Sequence, residues 1–496
     1  MVIRFSAFHQ TLAAGQFPTR FLDRLNSNYG YPVSNFLYPL PFYAAEVPKA
    51  LKFGFVDSIK IIFVLSTIAS TFAIFWCLRQ RFGELASFTG AVIYLYIPYR
   101  FVDLFVRGSL GESMAFLFPP ICVGSIYKIK KGNLKFLPVL SFSTAFLILS
   151  HNVVAITFVP IILLFLFALP KYKKLTLMFF FLGFLISAFF WLPALFDLQF
   201  VKLSQIKVSQ ISNYLVSPFK LILPTWGFDP NPNSLNGMSV QFGLVSIACF
   251  FAALFFTLYS KKKDKIIIWL LILYALIFFL LTNYSGLIWL KVPFIDIIQF
   301  PWRLLAVIVF ISAFLAAYIV DVSKKKAILA ALLITASILS TIMYISPKDT
   351  VNFPDSYYST NEDTTTVQNE YMPLWVKEKP TGRASSKIDI GKSAHIENEL
   401  IKPANYSFKV QNDSPVNVKI NTIYFPGWQV LANGKDVLIN YQNPQGLITF
   451  KLPKGRSDVI IKYNKTPVHF LSELLSLLAI PATGLFFYYI WRRQNS

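Results

Sequence analysis

Runs of about twenty apolar residues recur along most of this chain, and at ~1.5 Å rise per residue each can cross a ~30 Å hydrocarbon layer as a helix. Residues 303–322, RLLAVIVFISAFLAAYIVDV, are one such run. Inside hydrocarbon no water satisfies backbone polar groups, so runs of this kind must pair their own N–H and C=O groups. The chain is therefore expected to be a polytopic α-helical membrane protein. Its composition agrees: 55% of the 496 residues are hydrophobic and only 14% charged, against roughly a quarter charged in soluble domains. Candidate spans fall at 58–78, 86–101, 114–128, 135–150, 153–169, 175–196, 240–259, 265–282, 303–322, 326–345 and 468–490, about eleven in all.

The net charge of +22 could suit nucleic acid. Its distribution argues otherwise, because Lys and Arg gather in short tufts between apolar runs: RQR (79–81), KIKKGNLK (128–135), KYKK (171–174), KKKDK (261–265), KKK (324–326) and WRR (491–493). Such tufts mark cytoplasmic loops. Placing all of them in the cytoplasm lets the spans alternate without contradiction. Residues 1–57, 102–113, 151–152, 197–239, 283–302 and 346–467 are then extracytoplasmic. Cys77, Cys122 and Cys249 all lie within apolar runs and read as small buried hydrophobes.

Residues 346–467 turn polar and alternate, as in VNVKINTIYF (416–425), DVLIN (436–440), LITFKL (447–452) and DVIIKY (458–463). Turn signals NGK (433–435), NPQG (443–446) and PKG (453–455) separate them, which predicts a small antiparallel β domain, sandwich-like. The expected organisation is an outer first loop (1–57), a multispanning helical domain (58–345), an outer β domain (346–467), and a last span with a short cytoplasmic tail (468–496). Sequons at Asn405, Asn412 and Asn464 lie in the β domain, two of them followed by proline. The chain has no GxxxxGK[ST] phosphate loop, HExxH zinc helix or GxSxG elbow, so ATP-driven transport and the common hydrolase chemistries lose their usual support.

Ionisable groups near hydrocarbon are costly and so mark function. The first outer loop carries Arg4, His9, Arg20, Asp23, Arg24, Glu46 and Asp57, and the second, RFVDLFVRGSLGES (100–113), carries Arg100, Asp103, Arg107 and Glu112. In RGSLGE two glycines free a tight turn between an arginine, the natural fork for phosphate, and a carboxylate suited to base catalysis. The plainer alternative is a capped turn with an internal ion pair. SHN (150–152) offers His151 to a phosphate or sugar hydroxyl, or is simply a backbone-satisfied turn. FPWR (300–303) sets Arg303 at the outer end of a span, where it either joins the set or snorkels to head groups. Together these groups suit a substrate with an anionic head and a greasy tail, such as a polyprenyl-phosphate sugar.

GQFPTR (15–20), NYGYP (28–32), YPLPFY (38–43), RGSLGE (107–112), SHN (150–152), QFPWR (299–303) and YFPGWQVLANGK (424–435) together resemble bacterial membrane proteins described as 6-pyruvoyl-tetrahydropterin synthase-related, which are similar to YfhO-type proteins. The resemblance runs over nearly the whole chain and rests on the order and spacing of the motifs. Pterin chemistry has no support in it, since four scattered histidines make no zinc site. It implies instead the GT-C class of multispanning glycosyltransferases, which take sugar from a polyprenyl-phosphate carrier outside the cytoplasmic membrane. In that class the base is an Asp or Glu of the first outer loop.

Relatives of this type carry an acidic residue and a histidine shortly before an arginine eleven residues ahead of the GQFP glycine. Arg4 holds that arginine position relative to Gly15, so Met1 stands in place of the histidine, and the usual base and one upstream span are expected before residue 1. The expected function is an inverting transfer of sugar to a cell-surface glycan, lipid or protein. Glu112, Asp23 and Asp103 are the candidate bases, and Arg4, Arg20, Arg107, His151 and Arg303 the candidates for binding phosphate or sugar. A divalent cation is left open, because some enzymes of the class use one. The alternative is a non-catalytic scaffold, or a flippase for a lipid-linked saccharide, with a glycan-binding outer domain. The expected surroundings are membrane lipids and no nucleic acid.

Overall fold

The computed structural model describes residues 1–495 apart from 169–170, 207–208, 262, 293–294 and 392–393. Leu169, which ends the 153–169 run, and Lys262 of the KKKDK tuft lie outside the described residues. The chain divides into two compact units: one joins 1–58, 188–208 and 352–475, and the other joins 59–187, 209–351 and 476–496.

Helices dominate the second unit. Among the described residues five helices are long and apolar enough to cross a membrane: Phe55–Leu78, Leu110–Lys130, Pro301–Val322, Lys326–Tyr344 and Pro467–Arg492. Counting each of two bent helix pairs as one crossing raises the number to seven. One such pair, Glu84–Leu95 and Pro98–Val106, bends by 45° where Pro98 restarts the chain. The 135–150, 153–169, 240–259 and 265–282 stretches are also helical, in shorter helices of 15 to 17 residues, at or just below the lower end of the ~17–25 residues that a crossing uses.

Burial separates central from peripheral helices. Pro301–Val322 and Leu110–Lys130 are 89% buried over their most apolar stretch, whereas Lys326–Tyr344 is only 28% buried. A helix apolar on every side and surrounded by others is a core helix, while one that leaves Ile328, Leu332 and Leu339 exposed needs a non-aqueous neighbour. Close approach comes from small residues. A Cβ on Gly90, in Glu84–Leu95, would stand 2.6 Å from the Ala313 carbonyl oxygen, so only glycine lets these two helices meet. Asp264 caps Lys265–Leu281 by accepting from the N–H groups of Ile266 and Ile267, and it also pairs with Arg81.

Among its described residues the first unit is built around eight strands: β1 (Ile388–Asp389), β2 (Ala394–Lys402), β3 (Asn405–Asn412), β4 (Val416–Ile423), β5 (Trp428–Ala432), β6 (Lys435–Val437), β7 (Leu447–Leu452) and β8 (Gly455–Tyr463). They form two antiparallel sheets, ordered β1-β4-β7 and β2-β3-β8-β5-β6. Alternation in β3 and β8 sends Tyr406, Phe408, Val410, Val459 and Ile461 to the buried face. The Tyr406 hydroxyl reaches Thr422 of the other sheet at 3.0 Å. The β5–β6 hairpin turns at Asn433 and Gly434, both with positive φ, as an Asn-Gly turn requires.

This β region shares its core with the N-terminal residues, which are ordered rather than loop-like. Helices Val2–Ala13 and Leu40–Ala50 lie within residues 1–57. Phe21 packs edge-on against Trp428 at 5.3 Å, the Ile423 N–H donates to the Tyr29 carbonyl at 2.7 Å, and the Tyr371 N–H donates to the Tyr31 hydroxyl at 3.0 Å. From 188–208, Leu203 N–H donates to the Glu370 carbonyl at 2.7 Å. Residues 1–57 and 352–467 thus belong to one packed body.

Candidate functional site

Three of the expected site residues come together in the helical unit. The chain leaves helix Pro98–Phe101, passes through a π-helical turn at Val102–Val106, reverses at Gly108 (φ +55°) and enters helix Leu110–Ala115. Wider π turns are frequent at functional sites. Here the turn brings Asp103 and Arg107 onto one face, and the glycine brings Glu112 back to meet them. Arg107 Nη1 donates to Glu112 Oε2 at 2.7 Å, to the Tyr99 hydroxyl at 2.9 Å and to Asp103 Oδ1. Tyr99 in turn donates to Glu112 Oε1 at 2.7 Å. The internal ion pair is therefore present, and it is more elaborate than a capped turn: two carboxylates share one guanidinium.

Glu112 has both oxygens engaged and no exposed surface. Asp103 is as deeply placed, yet its Oδ2 has no hydrogen-bond partner among the described residues. Arg100 adds a second cation on the same segment. Its guanidinium lies over the Phe116 ring at 4.4 Å, and Nη2 donates to Ser70 at 2.9 Å.

His151 ends helix Phe136–Ser150 and is buried. Its Nδ1 accepts from the Val154 N–H at 3.2 Å, which places a ring proton on Nε2 in the neutral form. His151 lies close enough to Glu112, Arg107 and Arg303 to feel their charges. Arg303 donates to the Ile298 carbonyl at 3.1 Å and to Gln299 Oε1 at 2.8 Å, with its guanidinium over Phe300. Five expected residues, Asp103, Arg107, Glu112, His151 and Arg303, thus form one electrostatic neighbourhood.

Arg4, Arg20 and Asp23 belong to the other unit. Arg4 Nε and Nη2 donate to the Thr365 side chain and carbonyl at 3.0 and 2.6 Å. Asp23 is buried against Lys387 at 3.3 Å and accepts from the Tyr406 hydroxyl, an anchor between the first residues and the sheets. Burial holds Lys387 below the usual lysine range, the pull of Asp23 offsetting only part of that effect. It pushes Tyr406 up, with the Asp23 charge acting in the same direction. Arg20, 5% exposed, joins Asn35, the Phe189 carbonyl and Glu473. Asn35 donates to Asp197 at 2.6 Å, and His469 meets the same carboxylate oxygen at 3.0 Å.

Sequence reasoning missed Tyr99, Asn35, Asp197, His469, Glu473 and Lys387. Tyr99 lies four residues before Asp103, a helical spacing that could have found it. The others meet partners up to several hundred residues away, with no local signal. Among the described residues no three His, Cys, Asp or Glu side chains gather to hold a metal ion. No protein-family model matches the chain, and no curated protein or solved structure matches it significantly.

Proposed function

We propose that this chain is an inverting GT-C-like glycosyltransferase of the cytoplasmic membrane, with about eleven crossings, related to the 6-pyruvoyl-tetrahydropterin synthase-related membrane proteins that it resembles. It moves sugar from a polyprenyl-phosphate carrier to a cell-surface acceptor. The observation that carries this reading is the buried cluster of Asp103, Glu112 and Arg107 beside His151 and Arg303, in a unit whose peripheral helices expose apolar faces. Charged groups are rarely kept in such surroundings for packing alone.

Glu112 and Tyr99 hold Arg107, and Asp103 Oδ2 is the oxygen left to act. In the proposed reaction Asp103 takes the proton of the acceptor hydroxyl as that oxygen attacks the anomeric carbon. The carbon–phosphate oxygen bond breaks with inversion, and the polyprenyl phosphate leaves against Arg107 and Arg303. Packing of residues 1–57 with 352–467 in one unit supports their placement on one side of the membrane, outside on the charge pattern. The test is an assay of membranes holding the protein against a panel of polyprenyl-phosphate sugars. Asp103→Asn should lower transfer by about 10²-fold or more while inserting normally. Undiminished transfer would overturn the assignment.

A second reading, a scaffold that holds glycan without transferring it, is favoured by an aromatic cluster on the β unit. Tyr424 and Tyr441 stack at 4.2 Å, with Trp375 5.2 Å from Tyr441, all half-buried. Such rings present apolar faces with polar tips, suited to sugar rings. On that reading Asp103→Asn leaves function intact, and Tyr441→Ala abolishes glycan binding.

A further inference from the structure

In the first unit a pocket of about 180 Å³ opens where residues 15–20 meet 463–473. Its polar walls are unevenly satisfied. Gln16 Oε1 accepts from the backbone N–H groups of Arg20 and Phe21 at 2.7 and 3.1 Å, which fixes the amide and turns Nε2 the other way. That Nε2 is buried with no partner among the described residues. Arg20 spends Nη1 on Asn35 and Nη2 on the Phe189 carbonyl and Glu473, which leaves its buried Nε–H over. The Tyr463 hydroxyl is buried and unpartnered as well, with its ring held by Phe21 and Trp428 at 5.4 and 5.6 Å.

The Glu473 and His469 side chains of the same pocket are already engaged. Glu473 gives Oε1 to Arg20 and Oε2 to Lys465. His469 meets Asp197 with Nε2 and accepts from the Thr466 N–H with Nδ1 at 3.3 Å. Unpaired donors remain on Gln16, Arg20 and Tyr463, from two stretches of the chain that line the same cavity. Buried donors left unpaired are costly, so a ligand that fills this pocket must bring oxygen acceptors.

We propose that the pocket binds the phosphate group of a small phosphate ester, with Gln16 Nε2, Arg20 Nε and the Tyr463 hydroxyl donating to its oxygens and Lys465 adding charge at the rim. At about 180 Å³ the cavity has room for a phosphate group and the first atoms of its alcohol. The same chemistry is offered by a phospholipid head group and by a soluble ester. Helix Pro467–Arg492, apolar enough to cross a membrane, supplies His469 and Glu473 and so could bring a head group within reach. The site goes beyond the transfer reading, because it involves neither Asp103 nor Glu112, and binding is measured without turnover.

The 496-residue protein in lipid-free dodecyl maltoside micelles is titrated calorimetrically with glycerol phosphate. Saturable binding is expected, weakened about tenfold or more by Gln16→Glu and severalfold by Tyr463→Phe. Gln16→Glu keeps the oxygen that serves the two backbone N–H groups and replaces the free donor with an oxyanion. Tyr463→Phe removes only a hydroxyl, and an unchanged melting temperature verifies both variants. Repeating the titration in micelles containing phosphatidylglycerol separates the sources: competition identifies a lipid head group, and an unchanged curve a soluble ester. The proposal is overturned if glycerol phosphate binds wild type and both variants equally. It is also overturned if glycerol phosphate does not bind at all and phosphatidylglycerol co-purifies equally with wild type and Gln16→Glu.

Discussion

Arg107 is shared by two buried carboxylates, so the three groups stand or fall together. Removing the arginine leaves Asp103 and Glu112 as adjacent anions with little water, and Arg107→Ala should cost about 3–5 kcal/mol of stability, read as a fall in melting temperature in micelles. Arg107→Lys keeps the charge and should cost less. Lys387 makes the opposite case, a buried cation facing Asp23. Its pKa in the folded chain lies below the unfolded value, so folding favours the neutral form, and stability from this group is gained as pH rises toward the ordinary lysine range. Asp23→Asn deprives the ammonium of its carboxylate. Its destabilisation should be larger near pH 7 than near pH 10, and a pH-independent difference would show that the pair carries no charge coupling. At this scale the sequence was readable where a charge stands out in apolar text, as in RGSLGE and SHN. It was silent where partners are remote, as for Lys387 with Asp23 or His469 with Asp197.

Helices and strands were legible to the degree that one face of each is apolar. LITFKL and VNVKINTI alternate and became β7 and β4. AHIENELIK, the mostly exposed β2, has no such contrast and escaped notice. Helix positions followed the apolar runs, but their lengths did not: the 86–101 run breaks at Pro98, the 175–196 run bends at Ser187, and four others are helices of 15 to 17 residues. Contact between helices is set by single glycines. Gly90→Leu drives a side chain into the Ala313 carbonyl and should cost at least about 1–3 kcal/mol, whereas the same change at Gly484, which has open space around it, should be nearly neutral. Thermal unfolding of both variants checks the contrast.

For the whole molecule, the grouping of distant stretches was the least legible feature, since no local pattern announces that residues 1–58 share a core with 352–475. Single cysteines replacing exposed Lys52 and Asn398 in a cysteine-free background should react with an impermeant maleimide from the same side of the membrane. A fragment of residues 352–475 made alone should lack stable structure, because Trp428, Lys387 and Tyr371 lose Phe21, Asp23 and Tyr31, and supplying residues 1–58 should restore protease resistance. The same split core has a consequence for biosynthesis. At about 5–20 residues per second, roughly 15–60 s separate synthesis of residue 58 from that of residue 352. Throughout that interval Phe21, Tyr29 and Tyr31 have no sheet to bury them, which makes the nascent chain a natural client for a chaperone until its second half arrives.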